Sequence, residues 1–351
     1  MADLLNDCLA DLQARIDEAQ EQRNLEAWQG FLEDRCAEPL FFPPRRRPAP
    51  PRIKWPSIHI NDALEGLDPM VLRELAGASG LLADGGALRL NVRCNYGTGI
   101  LPTLFGCELF VMARETDTLP GVRPLPSMDH IRRVTEAGVP DLRAGLGGEV
   151  FDCAARFLEL FRKFPALERH VAIYHPDMQG PIDAAEEIWG SGIFLAFCDE
   201  PDLLRGFLEV ITQTYIAFMR RWYALVPPQN GYSTHWGLLH KGRLMIRNDS
   251  LMNLSPQVHL EFVRPLDQRL FDEFGGGAIH FCGRGCHFIE ALSAMPGLSG
   301  IQMSQPHLND TETIYRHTVD KGIKLLNFDT KTAQAAVAAG RPLRGQVQCC
   351  A

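Results

Sequence analysis

GGGAIHFCGRGCHF (275–288) is the stretch on which the fold turns. A glycine run gives way to a short apolar segment, residues 278–281, and a second glycine-rich turn follows. The pattern is that of a buried strand that stops abruptly. Residues two apart on a strand point to the same side, so His280 and Cys282 are expected to present an imidazole and a thiol together at the strand's end. Nitrogen and sulfur ligands of this kind suit zinc.

The sequence around this strand alternates. Ser255-Pro256 is a helix start, an N-cap followed by proline at N1, and that helix runs toward Phe274 with a bend expected at Pro265. After the His-x-Cys strand come a helix at 287–294 and a strand at 300–303. Asn309-Asp310 then caps a helix at 311–321, a strand follows at 323–327, and a helix at 330–339 stops at Gly340. Strand, helix, strand, helix implies a parallel sheet with crossover helices. The length and number of repeats favour an α/β fold of the (β/α)8 (TIM) barrel type over a doubly wound sheet, and no GxGxxG or phosphate-binding loop supports nucleotide binding.

Toward the N-terminus, Leu5, Cys8, Leu9, Leu12 and Ile16 recur at helical spacing, predicting one or two amphipathic helices over 3–29. Residues 38–56 are proline-rich and carry Arg45-Arg46-Arg47, which reads as a solvated connector. The expected organisation is therefore an N-terminal helical extension and connector, 1–56, followed by a barrel domain, 57–351. Strands are expected within 86–95 and 170–174, and helices over 151–164 and from Pro201 onward.

The 351 residues are 46% hydrophobic and carry a formal net charge of −8. That balance argues against nucleic-acid binding. No apolar run approaches the ~20 residues that span a bilayer, and the acidic, amphipathic start is unlike a signal peptide. A soluble cytoplasmic protein is expected, with most of its ten cysteines reduced.

In a barrel, polar residues at the C-terminal ends of strands are the candidates for chemistry. Here these are Asn95 and Tyr96; His175, Asp177 and Gln179; His235 and His240; Asp249; His280 and Cys282; and Gln302, Gln305 and His307. His-x-Cys is half of a tetrahedral metal site. His307, Cys286, Cys349 and Cys350 are the candidates for a third ligand, with His307 preferred. Asp249, His235 and His175 are expected to orient substrate or move protons. Asn95, Tyr96, Gln179 and Gln305 are expected to bind a small-molecule substrate.

The run IRNDSLMNLSPQVHLEFVRPLDQRLFDEFGGGAIHFCG (246–283) resembles the uroporphyrinogen decarboxylase superfamily, with its strand, Ser-Pro helix start and His-x-Cys-Gly end. HPDMQGPIDAAEEIWG (175–190), the DEPDLL helix start (199–204) and NYGTGILPTLFG (95–106) are similar to the same family. The likeness covers roughly 88–339. It implies a (β/α)8 barrel and either of two activities: decarboxylation of uroporphyrinogen, or zinc-dependent methyl transfer between corrinoids and thiols.

Gly97 stands where the decarboxylases carry an aspartate that binds the pyrrole nitrogens, and their arginine-rich N-terminal motif has no equivalent. Arg93 and Arg247 alone offer little to a substrate bearing many carboxylates. The methyltransferase branch matches at His280 and Cys282, although its late Gly-Cys turn is missing. The resemblance therefore implies a zinc-bound acceptor thiol. The methyl donor would be a small methylated compound or a corrinoid, the latter carried on a separate carrier protein because the chain lacks a DxHxxG run. It also implies a homodimer. A lyase acting on a small carboxylated or tetrapyrrole substrate, and a non-catalytic corrinoid- or tetrapyrrole-binding barrel, are the alternatives.

Overall fold

The computed structural model describes residues 2–228 and 230–350. The chain divides into two compact units, each assembled from three stretches of sequence. One comprises residues 1–15, 51–80 and 92–227; the other comprises 16–50, 81–91 and 228–351. Neither coincides with the expected division at residue 56. The amphipathic N-terminal segment is two helices, Ala2–Arg15 and Glu18–Leu32. Asp17 starts the second by accepting a hydrogen bond from the Gln20 N–H at 3.1 Å.

The unit holding the C-terminal sequence is built on a six-stranded sheet in which every pair is parallel. Its order is Leu40–Phe41, Val347–Cys349, Lys324–Phe328, Leu298–Met303, Gly277–Phe281 and Leu244–Arg247. Five of the six lie next to their neighbours in chain order, and helices cross between them, so the sheet winds in one direction. All five residues of Gly277–Phe281 are buried, as expected for a parallel strand covered on both faces. Close packing dictates the glycine at its start. A Cβ on Gly277 would lie 1.9 Å from the Leu244 carbonyl oxygen.

Below the sheet, Trp28 and Phe31 of the Glu18–Leu32 helix meet Phe41, with ring centroids 5.3 and 4.6 Å apart, and pack with Met245, Ala278 and Leu326. Burying each such side chain contributes roughly 1.5–3 kcal/mol. That helix also carries a buried ion pair. Arg46 forks onto the carboxylate of Glu21, with Nη2–Oε2 at 2.7 Å, and its Nη1 donates to the carbonyls of Gly86 and Leu88, both at 2.6 Å. Asn24 Nδ2 donates to the Ala87 carbonyl at 2.8 Å. The reading of 38–56 as a solvated connector therefore fails at Arg46, which is 5% exposed, while Arg45 and Arg47 remain exposed. Short-range pattern does not reveal that Glu21 waits on a helix to receive the middle arginine.

The helix after Ser255 also departs from expectation. Ser255 accepts from the Val258 N–H at 3.2 Å and Pro256 occupies the first turn. A π-helical turn, His259–Val263, then precedes the Arg264–Phe274 helix. Pro265 cannot donate to the ladder, and the widened turn absorbs the missing bond. Of the expected 86–95 strand only Asn91–Val92 is extended in a ladder.

The other unit is mainly helical. Its longest helix, Pro201–Leu225, buries the stripe predicted for it, including Phe207, Tyr215, Phe218 and Trp222. Phe218 stacks on Phe151 of the Leu146–Phe161 helix at 4.6 Å, and Phe207 meets Trp189 at 5.5 Å. The short strand Ala172–Ile173 leads into the His175 loop. Among the described residues no helix is long and apolar enough to cross a membrane.

Removing one partner of the Glu21–Arg46 pair strands a buried charge. Arg46→Met is expected to lower stability by about 3–5 kcal/mol, and adding Glu21→Met should restore most of the loss. Urea unfolding midpoints of the single and double variants check this. A double variant no more stable than Arg46→Met would contradict it.

Candidate functional site

Parallel register assembles the site. Arg247 pairs with His280, and His280 with Gln302, so three polar residues form a row across three adjacent strands at their C-terminal ends. His280 Nδ1 is hydrogen-bonded to Gln302 Oε1. The ring's other nitrogen, Nε2, faces Cys282 Sγ at 3.5 Å and Asp249 Oδ1 at 3.4 Å. Asp249 Oδ1 also accepts the backbone N–H of Cys282 at 2.7 Å. The imidazole, thiol and carboxylate donor atoms all lie within 4.8 Å of one another.

Asp249 reaches this place because its predecessor is anchored. The Asn248 N–H donates to the His280 carbonyl at 2.9 Å, continuing the sheet by one bond. Asn248 Nδ2 donates to Asp267 Oδ2 at 2.6 Å. Asp267 is wholly buried, and burial pushes its carboxyl up to about 7, opposed by the Asn248 hydrogen bond. The loop after Cys282 is pinned from the next strand's end. Gln305 Oε1 accepts the Gly283 N–H, and Asn309 Oδ1 accepts the Gly285 N–H, both at 2.6 Å.

Burial alone would lower the basicity of His280. The hydrogen bonds with Asp249 and Cys282, together with the negative charge of Asp249, overcome it and raise the imidazole to about 9. Burial raises Asp249 in the same way, and its contacts with His280 and Cys282 win and hold it below the ordinary carboxylate value. The triad thus stores a proton on His280 and a negative charge on Asp249. A cation bound there would take the proton's place.

Trp236 closes one side. Its backbone is left-handed, φ +50°, and its ring stands edge-on to His280 at 5.0 Å. The Arg247 guanidinium lies over the same ring at 4.7 Å and donates to His235 Nε2 at 2.5 Å. A cavity of about 330 Å³ is lined by Leu88, Trp236, Leu238, His280, Gln302, Ser304 and Asn327, so His280 is the member of the triad that faces it.

The residues singled out in the sequence separate. Asp249, His280 and Cys282 meet, and Gln305 holds the loop beside them. His235 sits behind Trp236, coupled to Arg247. His240 is fully buried beside the Lys241 carbonyl, and burial drives its basicity down to about 4. His307 is exposed and stands outside the donor group. The Cys286 sulfur accepts the Asp310 N–H at 3.1 Å, and the Cys350 thiol faces Asn327 Oδ1 at 3.1 Å. Cys349 is buried.

Asn95, Tyr96, His175 and Gln179 belong to the other unit. There Asn95 Nδ2 donates to Glu74 Oε1 at 2.8 Å, Arg93 pairs with Asp177 at 2.9 Å, and His175 Nδ1 bonds to the Pro176 carbonyl at 2.9 Å. Glu74, Trp236 and Asp267 were not foreseen. Asp267 left a trace in the sequence, since it occupies the buried stripe of its helix with Leu270, Phe271 and Phe274, where an ordinary surface acid would not sit.

No known family profile matches the sequence, and no curated protein is significantly similar to it.

Asp267 gives the site's support a pH signature. Its folded value of about 7 lies above its ordinary 3.8, so between those values the folded chain keeps a proton that the unfolded chain has released. The stabilisation is complete below the unfolded value and is lost as pH rises through about 7. Asp267→Asn, which keeps the neutral hydrogen-bonding shape, should flatten the fall in urea midpoint between about pH 5 and about pH 8. Parallel pH profiles for the two proteins would count against this account.

Proposed function

We propose that the protein is a zinc-dependent methyltransferase with the (β/α)8 barrel of the uroporphyrinogen decarboxylase superfamily. It would pass a methyl group from a corrinoid, held on a separate carrier, or from a small methylated compound, to a thiol. The observation that carries this reading is the convergence of Asp249 Oδ1, His280 Nε2 and Cys282 Sγ, with His280 also lining an open cavity. The six-stranded parallel sheet, wound in one direction, supports the barrel.

The donor set fits zinc. One sulfur, one imidazole nitrogen and one carboxylate oxygen are ordinary zinc ligands, and three protein ligands leave a fourth position for a substrate. Gln302 on Nδ1 fixes the tautomer that presents Nε2, the usual role of a partner behind a metal-bound histidine. Bound zinc would supply a lowered thiol pKa at neutral pH.

The chain's own groups then do the rest. Asp249, His280 and Cys282 hold the site on two neighbouring strand ends. Trp236, backed by Arg247 and His235, would give an apolar wall beside His280 for the methyl donor. In the transfer a sulfur–carbon bond forms and the carbon–donor bond breaks, its electron pair staying with the donor, while the thiol's proton leaves to solvent.

Two observations weigh against a polycarboxylate substrate. Among the described residues no lysine or arginine lines the cavity. Gly97, where the decarboxylases have aspartate, has φ +77°, and a Cβ there would lie 3.2 Å from the Pro120 carbonyl oxygen. Aspartate in its place would be strained.

Metal analysis of the purified protein should find about one zinc per chain, lost in His280→Ala and Cys282→Ala and weakened in Asp249→Asn. A parent protein without stoichiometric zinc overturns the reading. Gln302→Leu should weaken zinc binding by about 10–100-fold, measured by competition with a chelating dye, while leaving the fold intact. Unchanged affinity would show that Gln302 has no part in presenting the imidazole.

A further inference from the structure

The cavity beside His280 does not end there. A second cavity of about 570 Å³ shares Gln302, Ser304 and Asn327 with it and extends to His307, Asp329 and Thr332. The shared residue Asn327 has a left-handed backbone, φ +52°. Its N–H is held by Gln348 Oε1 at 2.6 Å, which fixes the irregular strand segment at the junction of the two spaces. Asn327 lies where the register of the Lys324–Phe328 strand against Val347–Cys349 shifts, and asparagine adopts this conformation more readily than other non-glycine residues.

The chemistry of the walls narrows what can lie in this second space. Gln302, Ser304, Asn327, Thr330 and Thr332 bring neutral amides and hydroxyls. Among the described residues Asp329 is the one carboxylate there, and it caps the Thr330–Ala338 helix by accepting the Thr332 N–H at 2.7 Å. Among the described residues neither cavity is lined by lysine or arginine, which disfavours a ligand bearing several negative charges there. The Thr332 hydroxyl is engaged by the Asp329 carboxylate, while the Ser304 hydroxyl, the Asn327 amide nitrogen and the His307 ring are exposed along the wall of this space. Such groups pair with ligand amides or hydroxyls. A bare small thiol would leave this space unfilled.

We propose that the second cavity is the subsite for the body of the acceptor, and that the acceptor is an uncharged thiol extended by peptide amides, of the kind presented by a cysteinyl peptide. This rests on the proposed thiol-methylating function for the sulfur end, and on the cavity alone for the amide end. The thiol reaches the Asp249–His280–Cys282 donors, and the amide chain passes Asn327 and lies between Ser304 and Thr332.

Calorimetric titration of the zinc-loaded protein tests it with three probes: 2-mercaptoethanol, N-acetylcysteinylglycine amide and its seryl counterpart. The cysteinyl peptide should bind at least about tenfold tighter than 2-mercaptoethanol. Thr332→Trp, which fills the second cavity from a half-exposed position, should abolish that gain and leave 2-mercaptoethanol binding unchanged. Ser304→Ala should reduce the gain, and thermal melts of both variants should match the parent. Equal binding of the cysteinyl peptide and 2-mercaptoethanol overturns the subsite, as does a gain that survives Thr332→Trp. Failure of the metal reading looks different. The cysteinyl and seryl peptides would then bind alike, with both still sensitive to Thr332→Trp.

Discussion

Parallel strands in register present neighbouring residues to the same face, and the pairing Arg247–His280–Gln302 is the constraint on which the site depends. It places an amide oxygen on one side of the His280 ring and turns the free nitrogen toward Cys282 and Asp249. It also puts Arg247 beneath Trp236, which walls the cavity. A shift of one residue in the Gly277–Phe281 strand would reverse the faces of its side chains and scatter all of these contacts. Gly277 helps to hold the strand in place, since no side chain fits between it and Leu244.

Two buried polar arrangements support this geometry at different distances. Glu21 and Arg46 join the Glu18–Leu32 helix to the carbonyls of Gly86 and Leu88, with the aromatic cluster of Trp28, Phe31 and Phe41 beside them. Nearer the chemistry, Asp267 holds Asn248, whose N–H extends the sheet and delivers Asp249. In the first the charges are paired and hydrogen-bonded. In the second the buried acid is held near neutrality, which is the cheaper state for a lone carboxyl in an apolar place. Both fix backbone position where apolar packing, which has no direction, could not.

Local signals in the sequence were dependable where the physics is local. The alternation of strand and helix after residue 255, the Ser255 and Asp310 caps, the Pro201–Leu225 stripe and the strand at His280 all appear in the structure. They rest on backbone propensity, capping and periodicity, whose range is a few residues. Arg46 shows the limit. Its surroundings in sequence are those of a solvated connector, and only a carboxylate presented by a distant helix explains its burial.

The sequence by itself determined a parallel α/β chain and the placing of His280 and Cys282 on one side of a strand end. Tertiary structure alone decided that Asp249 joins them, that His307 stands apart, that Gln302 orients the imidazole, and that two cavities meet at Asn327. The reason is physical. Spacing along one strand sets the direction of its own side chains, whereas contacts between strands depend on register and on loops of variable course, and neither is written in any short stretch of sequence.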